Sequence, residues 1–432
     1  DMWPAAVIQK RIEGVGRDGT TRLDILHDFE KIDVVFPDHL GGKVQNGVPI
    51  KELAKSSADN DIKAPHLVRT PLTLLRTVEY MEDYIMPLDG GDFDEDLSPQ
   101  VYLFIQGRYR MIGKDFTLQG YQYGCRNCRV CIEVHERMVR WFIFMDHYMS
   151  CENTVFWQTN AGSHFEELNN FLKTLLGHYL GKQGILSPNA SEIAAYFIMV
   201  HLNNGDESVR YLRSWPRSLL ESPEIVFALE VNRAKKTDNY IQFFKLLGEA
   251  NLLQACCMFR YVREMRMLGL RKLAMTLRTP AGKRGARVTL AYITQLFMFE
   301  GEDDCVAFLN HCQVFVDGSA DEAGTEVVLS DPFLKLPLDE NDNPLWPKIS
   351  KMFMNIEGLR GVGGCSILDA SFSTADICRG RTNTVSAVNS DTGVRYLPCT
   401  RTAPRGASVA VQYVPAQLAQ INGSHLKALT IP

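Results

Sequence analysis

The chain has 432 residues, 45% hydrophobic and 22% charged, with a formal net charge of -5. This is globular composition, enough for two or three domains with buried cores, and it excludes a chain disordered throughout. Apolar runs such as Ala194 to Val200 fall far short of the ~20 residues a bilayer crossing needs, and no basic-then-apolar leader opens the chain, so a soluble intracellular protein is expected.

After an N-terminal segment, residues 1–65, four hydroxyl–proline pairs each write a helix start: Thr70-Pro71, Ser98-Pro99, Ser187-Pro188 and Ser222-Pro223. A hydroxyl at the N-cap accepts a bond from an orphan amide, and proline at the first helical position loses no needed donor. Leu74, Leu75, Val78, Met81 and Ile85 then keep three-and-four spacing, as do Val101, Phe104, Ile105 and Ile112, and Ile225, Ala228, Leu229 and Asn232. The pattern continues over Cys128 to Met149, Phe165 to Tyr179, Ile193 to Leu202, Asp206 to Leu212 and Tyr240 to Leu277. Residues 66–279 are therefore expected to be a mainly α, irregular helical-repeat array without an exact repeat period.

After Thr279-Pro280 the character changes. A short apolar piece, Val288 to Leu290, precedes helical patterns over Ala291 to Phe299 and Glu302 to His311. Gln313 to Asp317 and Glu326 to Ser330 read as strands around a polar turn. Residues 280–335 are thus expected to be a winged helix with a small β-ribbon. Residues 336–432, rich in proline, glycine, serine and threonine, read as a linker followed by an extended or partner-bound tail.

Motifs for chemistry fail on spacing. Eleven scattered cysteines, Cys256 and Cys257 among them, suit a reducing compartment. Cys125, Cys128, Cys131 and His135 would span about 15 Å along one helix, too long for a tetrahedral metal site. His135-Glu136 begins a zinc-protease motif, but Val139 stands where the second histidine belongs. Asp92, Asp94 and Asp96 open like a calcium loop, but Leu97 and Leu103 break it. Adjacent Ser163-His164 defines no nucleophile and base. Neither a catalytic site nor a cofactor or metal is expected.

One feature stands out in this acidic chain. From Arg260 to Arg287 nine basic residues, Arg260, Arg263, Arg266, Arg271, Lys272, Arg278, Lys283, Arg284 and Arg287, face the single acid Glu264, a local excess of +8. Clustered cations at the joint between array and winged helix suit a phosphate backbone. The portion from Arg271 onward is the nucleic-acid candidate, whereas Arg260, Arg263 and Arg266 are expected to share a stripe that could face an acidic partner. Arg213 and Arg217 could extend the patch, with Trp215 as a core anchor.

An array running into a winged helix is the outline of PCI domains, and particular residues narrow it. Lys51-Glu52-Leu53-Ala54-Lys55-Ser56-Ser57-Ala58-Asp59, Arg69-Thr70-Pro71-Leu72 and Thr77-Val78-Glu79-Tyr80-Met81 resemble the opening segment of the SAC/GANP family of nuclear mRNA-export scaffolds. Gly107 to Gln119 is similar to its Arg-x-Arg-x-Ile-Arg-x-Asp-x-Thr-x-Gln signature, and Asn239 to Leu247 to its Asn-x-x-x-Phe-Phe-Lys-Leu helix. Trp3 and Gly113 depart from the family's usual cysteine and arginine. The resemblance, over about residues 1 to 330, implies a scaffold of the TREX-two complex, nuclear and at or near the nuclear pore. It implies pairing with a PCI protein of the Thp/PCID type, itself held by the small acidic Sem/DSS protein. It also implies an RNA platform of Lys283, Arg284 and Arg287, with Arg271, Lys272 and Arg278 close by, and contact of the N-terminal segment with the DEAD-box export helicase. A protein-only PCI subunit of a proteasome-lid-like or translation-initiation-like complex stays open beside this reading, as does an enzyme using the cysteine cluster.

Overall fold

In the computed structural model the described residues are 33–35, 44–46, 50, 68–86, 98–121, 128–152, 154–180, 187–204, 208, 210–211, 213, 215–277, 286–299, 301–312, 314–317, 326–329 and 374–380. All of them lie in a unit spanning Asp1–Cys399, and Thr400–Pro432 forms a second unit outside them. Two short strands, β1 (Asp33–Val35) and β2 (Val44–Asn46), pair antiparallel. The rest is dominated by helices, and the protein is mainly α.

Helix α1, Pro71–Tyr80, starts where Thr70 accepts a hydrogen bond from the Thr73 amide at 3.4 Å, and it runs on as one π-helical turn, Met81–Ile85. Then come α2 (Ser98–Leu118), α3 (Arg129–Glu152), α4 (Thr154–Leu180), α5 (Ala190–Val200), α6 (Arg217–Leu220), α7 (Pro223–Lys236), α8 (Tyr240–Glu249) and α9 (Leu252–Thr276). Neighbours in sequence pack as neighbours in space, α3 on α4, α4 on α5, α7 on α8 and α8 on α9, while α9 returns to α3 and α5. No described helix is long and apolar enough to cross a membrane.

Of the four hydroxyl–proline pairs, Thr70 caps its helix and Ser98 is itself the first residue of α2, while the other two depart from the rule. Ser222 sits at the N-cap of α7, but its hydroxyl makes no capping bond. Ser187 lies two residues before the N-cap: α5 begins at Ala190, and Ser187 Oγ accepts from the Asn189 amide at 3.2 Å while donating to Glu136 Oε1 at 2.6 Å. A hydroxyl carries one proton and two lone pairs, so it bonds the carboxylate and the amide at the same time. Within the continuous helical pattern from Tyr240 to Leu277 the chain breaks at Ala250 and Asn251, where Asn251 and Gln254 form a capping box that opens α9.

Helix α3 is the axis of the array, touching α1, α2, α4 and α9. From Val134 to His147 every residue is buried, including Arg137, Arg140, Glu136 and Asp146. Such a helix holds charges only if each is matched. Arg140 forks onto Glu192 through two bonds of 2.8 Å, and Arg137 reaches Glu82 at 2.9 Å and Glu133 at 2.5 Å. Glu136 accepts from Tyr179, Ser187 and Asn189 at 2.6–2.7 Å, which closes the connection between α4 and α5.

Histidines in this core are held neutral. Burial lowers His135, His147 and His164 to about 4 each. His164 Nε2–H donates to the Phe142 carbonyl at 2.9 Å, so Nδ1 accepts from the Tyr102 hydroxyl at 2.8 Å. Because the unfolded chain binds these protons more readily, their contribution to stability is full above about pH 6.5 and is lost as pH falls toward 4. Each gives a slope of about 1.4 kcal/mol per pH unit, and Glu82, raised to about 7 by burial, acts with the opposite sign from about 7 to 4.5. We expect denaturant midpoints measured from pH 8 to 4.5 to stay level and then fall below pH 6.5. His164→Asn should flatten that fall.

Beyond the array, β3 (Ala286–Thr289) leads into α10 (Leu290–Leu296), α11 (Glu302–His311), β4 (Phe315–Asp317) and β5 (Glu326–Leu329). The sequence pattern identifies two of these strands, whereas the structure has three, in the order β3-β5-β4, with Ala286 opposite Leu329 and Phe315 opposite Val328. The short piece before α10 pairs because its edge meets β5, a contact some forty residues away. Within the span read as a tail, Thr374–Cys378 forms one helical turn, α12, which packs on α3 and the Met81–Ile85 turn. The calcium-like Asp92, Asp94 and Asp96 lie outside the described residues, as does Cys125 of the cysteine motif.

Candidate nucleic-acid interface

The basic stretch divides when placed on the fold. Arg260 Nη1 donates to Asp146 Oδ2 at 3.0 Å, and its guanidinium lies 4.5 Å from the centre of the Phe165 ring, which ties α9 to α3 and α4. Arg266 is 1% exposed. Its Nε donates to the Phe297 carbonyl at 3.0 Å, its Nη2 to the Met298 carbonyl at 2.7 Å, and its Cζ stands 3.8 Å over the Phe299 ring. The single acid of the stretch, Glu264, is paired with Lys235 at 2.7 Å.

Arg260, Arg263 and Arg266 therefore do not form one outward stripe toward an acidic partner. Each three-residue step falls about 60° short of a full helical turn, so Arg266 lies about 120° around α9 from Arg260. One reaches the array and the other caps the end of α10.

Of the six expected nucleic-acid residues, Arg271, Lys272 and Arg287 are described, and Arg278, Lys283 and Arg284 lie outside the described residues, in the connection from α9 to β3. Arg271 and Lys272 are half-buried on the last turns of α9, and Lys272 Nζ donates to the Asp238 carbonyl at 2.7 Å. Arg287 projects from β3 with 58% of its side chain exposed and meets Glu326 Oε2 at 2.6 Å. β5, the sheet partner of β3, packs on α9, so the strand that carries Arg287 belongs to a sheet seated on the helix that carries Arg271 and Lys272. Exposed apolar side chains stand on the neighbouring elements: Ile241 at the start of α8, Met275 and Leu277 at the end of α9, and Tyr292 on α10.

The joint itself rests on residues that charge reasoning did not single out. At Gly269 the rings of Phe297, just past α10, and Tyr240, on α8, press against α9: a Cβ there would stand 2.3 Å from Phe297 Cε1 and 3.0 Å from Tyr240 Cδ2. A glycine in the interior of a helix, which costs about 1 kcal/mol against alanine, is the sequence signal for such an approach. Trp215 is a core residue, while Arg217 is exposed and pairs with Glu221 at 2.7 Å.

The signature residues also acquire positions. Arg69 Nε donates to Asp115 Oδ2 at 2.7 Å, and Gln119 Nε2 donates to the Arg69 carbonyl at 2.9 Å, so the opening motif and the Gly107–Gln119 motif hold each other. On the outer side of the same helix, Arg110, Gly113 and Thr117 line an open cleft of about 430 Å³ against α4. Asn239 caps α8 by accepting from the Gln242 amide at 3.1 Å. Phe243 and Phe244 are buried, Phe244 at 5.5 Å edge-to-face with Phe297.

The described members of the cysteine and histidine motifs pack in the core or against it. Cys131 Sγ lies 3.6 Å from His135 Nδ1 and 3.7 Å from His178 Nε2, but Nδ1 is already committed to the Cys131 carbonyl at 2.8 Å and burial pushes the Cys131 thiol up. Among the described residues no group of histidine, cysteine and carboxylate side chains could hold a metal ion.

Comparison with known proteins agrees with the signature. The profile of the SAC3/GANP family matches residues 17–318. The chain is 28% identical over 293 residues to Protein xmas of Drosophila melanogaster, covering 65% of this chain and 13% of that protein. It is 27% identical over 266 residues to SAC3 family protein 1 of Schizosaccharomyces pombe, covering 54% and 24%, and 27% identical over 220 residues to SAC3 family protein B of Arabidopsis thaliana, covering 48% and 12%. The matched region spans no more than 24% of any of these three relatives.

Proposed function

Because the chain belongs to the SAC3/GANP family, we propose that it is the helical core of a non-catalytic scaffold for transcription-coupled mRNA export, working in the nucleus at or near the pore. In this reading β3, α10, α11 and the β4–β5 hairpin are a winged helix, a name supported by the order strand, helix, helix, strand, strand with the first strand beside the last. The winged helix and the end of α9 pair with a PCI partner of the Thp/PCID type, carrying its small acidic Sem/DSS companion. The exposed Ile241, Met275, Leu277 and Tyr292 are the apolar surface that such docking would cover. The N-terminal segment reaches the DEAD-box export helicase.

RNA contact is assigned to Arg271, Lys272, Arg278, Lys283, Arg284 and Arg287. The observation that carries it is the run of cations where α9 passes into β3, with Arg287 more than half exposed at its far end. Phosphate contacts would dominate, since no base-reading motif accompanies them. We expect the triple reversal Lys283→Glu, Arg284→Glu, Arg287→Glu to weaken binding of single-stranded RNA at least tenfold and equally across sequences. The slope of log affinity against log salt should shrink by about 2, from about 0.7 per phosphate contact. Fluorescence anisotropy with the PCI partner present checks both. Unchanged affinity would place the RNA platform elsewhere on the protein, and no RNA binding at low salt with or without the partner would favour the protein-only PCI scaffold.

A further inference from the structure

The short helix α12 and the two residues after it are seated on the array as a ligand would be. Ile377 and Cys378 are buried, at 1% and 0% exposure. Arg379 Nε meets Glu82 at 3.0 Å and its Nη2 meets Asp83 at 2.6 Å. Arg140 Nη1 donates to the Cys378 carbonyl at 3.2 Å, and Gly380 turns the chain at φ 73°, where a Cβ would stand 2.9 Å from Arg140 Cζ. The buried array charges that make these contacts have other partners, since Glu82 also takes Arg137 and Arg140 is forked onto Glu192, while Asp83 is nearly half exposed to water. The buried charges of this groove are therefore matched whether or not α12 is in it. A segment that is part of a core normally supplies the partner whose loss strands a buried charge; this one does not.

We propose that the Met81–Ile85 turn and α3 form a peptide-docking groove whose occupant is residues 374–380 of the same chain, held as an exchangeable latch. The groove reads a β-branched apolar residue, a small residue, arginine and glycine in succession. Two buried side chains and an arginine must offset the ordering of seven residues, which leaves little net affinity, so the segment stays docked through its covalent tether. That tether, the 44 residues from 330 to 373, could reach about 145 Å when extended, so geometry does not force the contact. Whatever follows Gly380 starts from the array face and not from the end of β5, and release of the latch would free it.

Native-state thiol labelling of the full chain, resolved by site with mass spectrometry, tests this. Cys378 should label at least tenfold more slowly than the half-buried Cys128. Arg379→Glu and Gly380→Val should each raise Cys378 labelling at least tenfold while Cys131 and Cys257 stay protected. The swap of Asp83→Arg with Arg379→Asp should restore protection, and a synthetic peptide of residues 372–382 at about millimolar concentration should raise labelling in the unaltered chain. Three results would overturn the proposal. Cys378 could label as fast as Cys128, the variants could expose Cys131 equally, or protection could fall on dilution, which would place the occupant in a second copy.

Discussion

Asp115→Ala is expected to destabilise the protein by about 3–5 kcal/mol, read as a lowered denaturant midpoint. Arg69 and Asp115 are almost wholly buried, at 2% and 0% side-chain exposure, and the carboxylate is the charge that matches the guanidinium. Arg69 Nη1 and Nη2 already have no hydrogen-bond partner among the described residues, so the substitution strands a cation with nothing to replace the loss. Replacing both partners at once, Arg69→Met with Asp115→Leu, should return stability to within about 1 kcal/mol of the parent, because it removes the desolvation cost with the attraction. If the single and double variants fell equally, the signature aspartate would owe its place to something other than this pair.

Arg266→Ala should cost about 3 kcal/mol or more, and the loss should be local. The carbonyls of Phe297 and Met298 lose their donor, and a cavity opens beneath the Phe299 ring. Hydrogen exchange should quicken in β3, α10 and β5 while the amides of α3 and α4 keep their protection. Gly269→Ala acts on the same joint from the other side, by overpacking against Phe297, at about 1–3 kcal/mol. Combining it with Phe297→Ala should cost less than the two single losses added together, since the second change vacates the space the first one needs. Uniform exchange across the array in Arg266→Ala would show that the joint is not a separable unit.

Much of this architecture was legible in the chain, and the legible parts share a physical cause. Thr70 with Pro71 acts on an amide three residues away, so its effect travels with the sequence wherever it is placed; Asn239, and Asn251 with Gln254, do the same, although the periodicity reading ran over the break they make. The acids of Glu302, Asp303 and Asp304 open α11 for the same reason. Ser187 shows where this stops, since its hydroxyl answers to Glu136, which the fold brings to it from another helix.

The basic stretch illustrates the same boundary. Its charge count and its position between the helical array and the pattern that follows Pro280 are read from the sequence alone, and so is the expectation of a polyanion. Whether each cation is available does not, because Arg260 meets Asp146 across 114 residues and Arg266 meets Phe297 across 31. Helix period and capping are set by short-range sterics and hydrogen bonds, so the sequence by itself determined a mainly α array, its helix starts and a cationic joint. Pairing of buried charges depends on which faces meet, and only the tertiary structure decided that α3 lies at the centre, that Arg266 fastens α10, and that residues 374–380 return to the array.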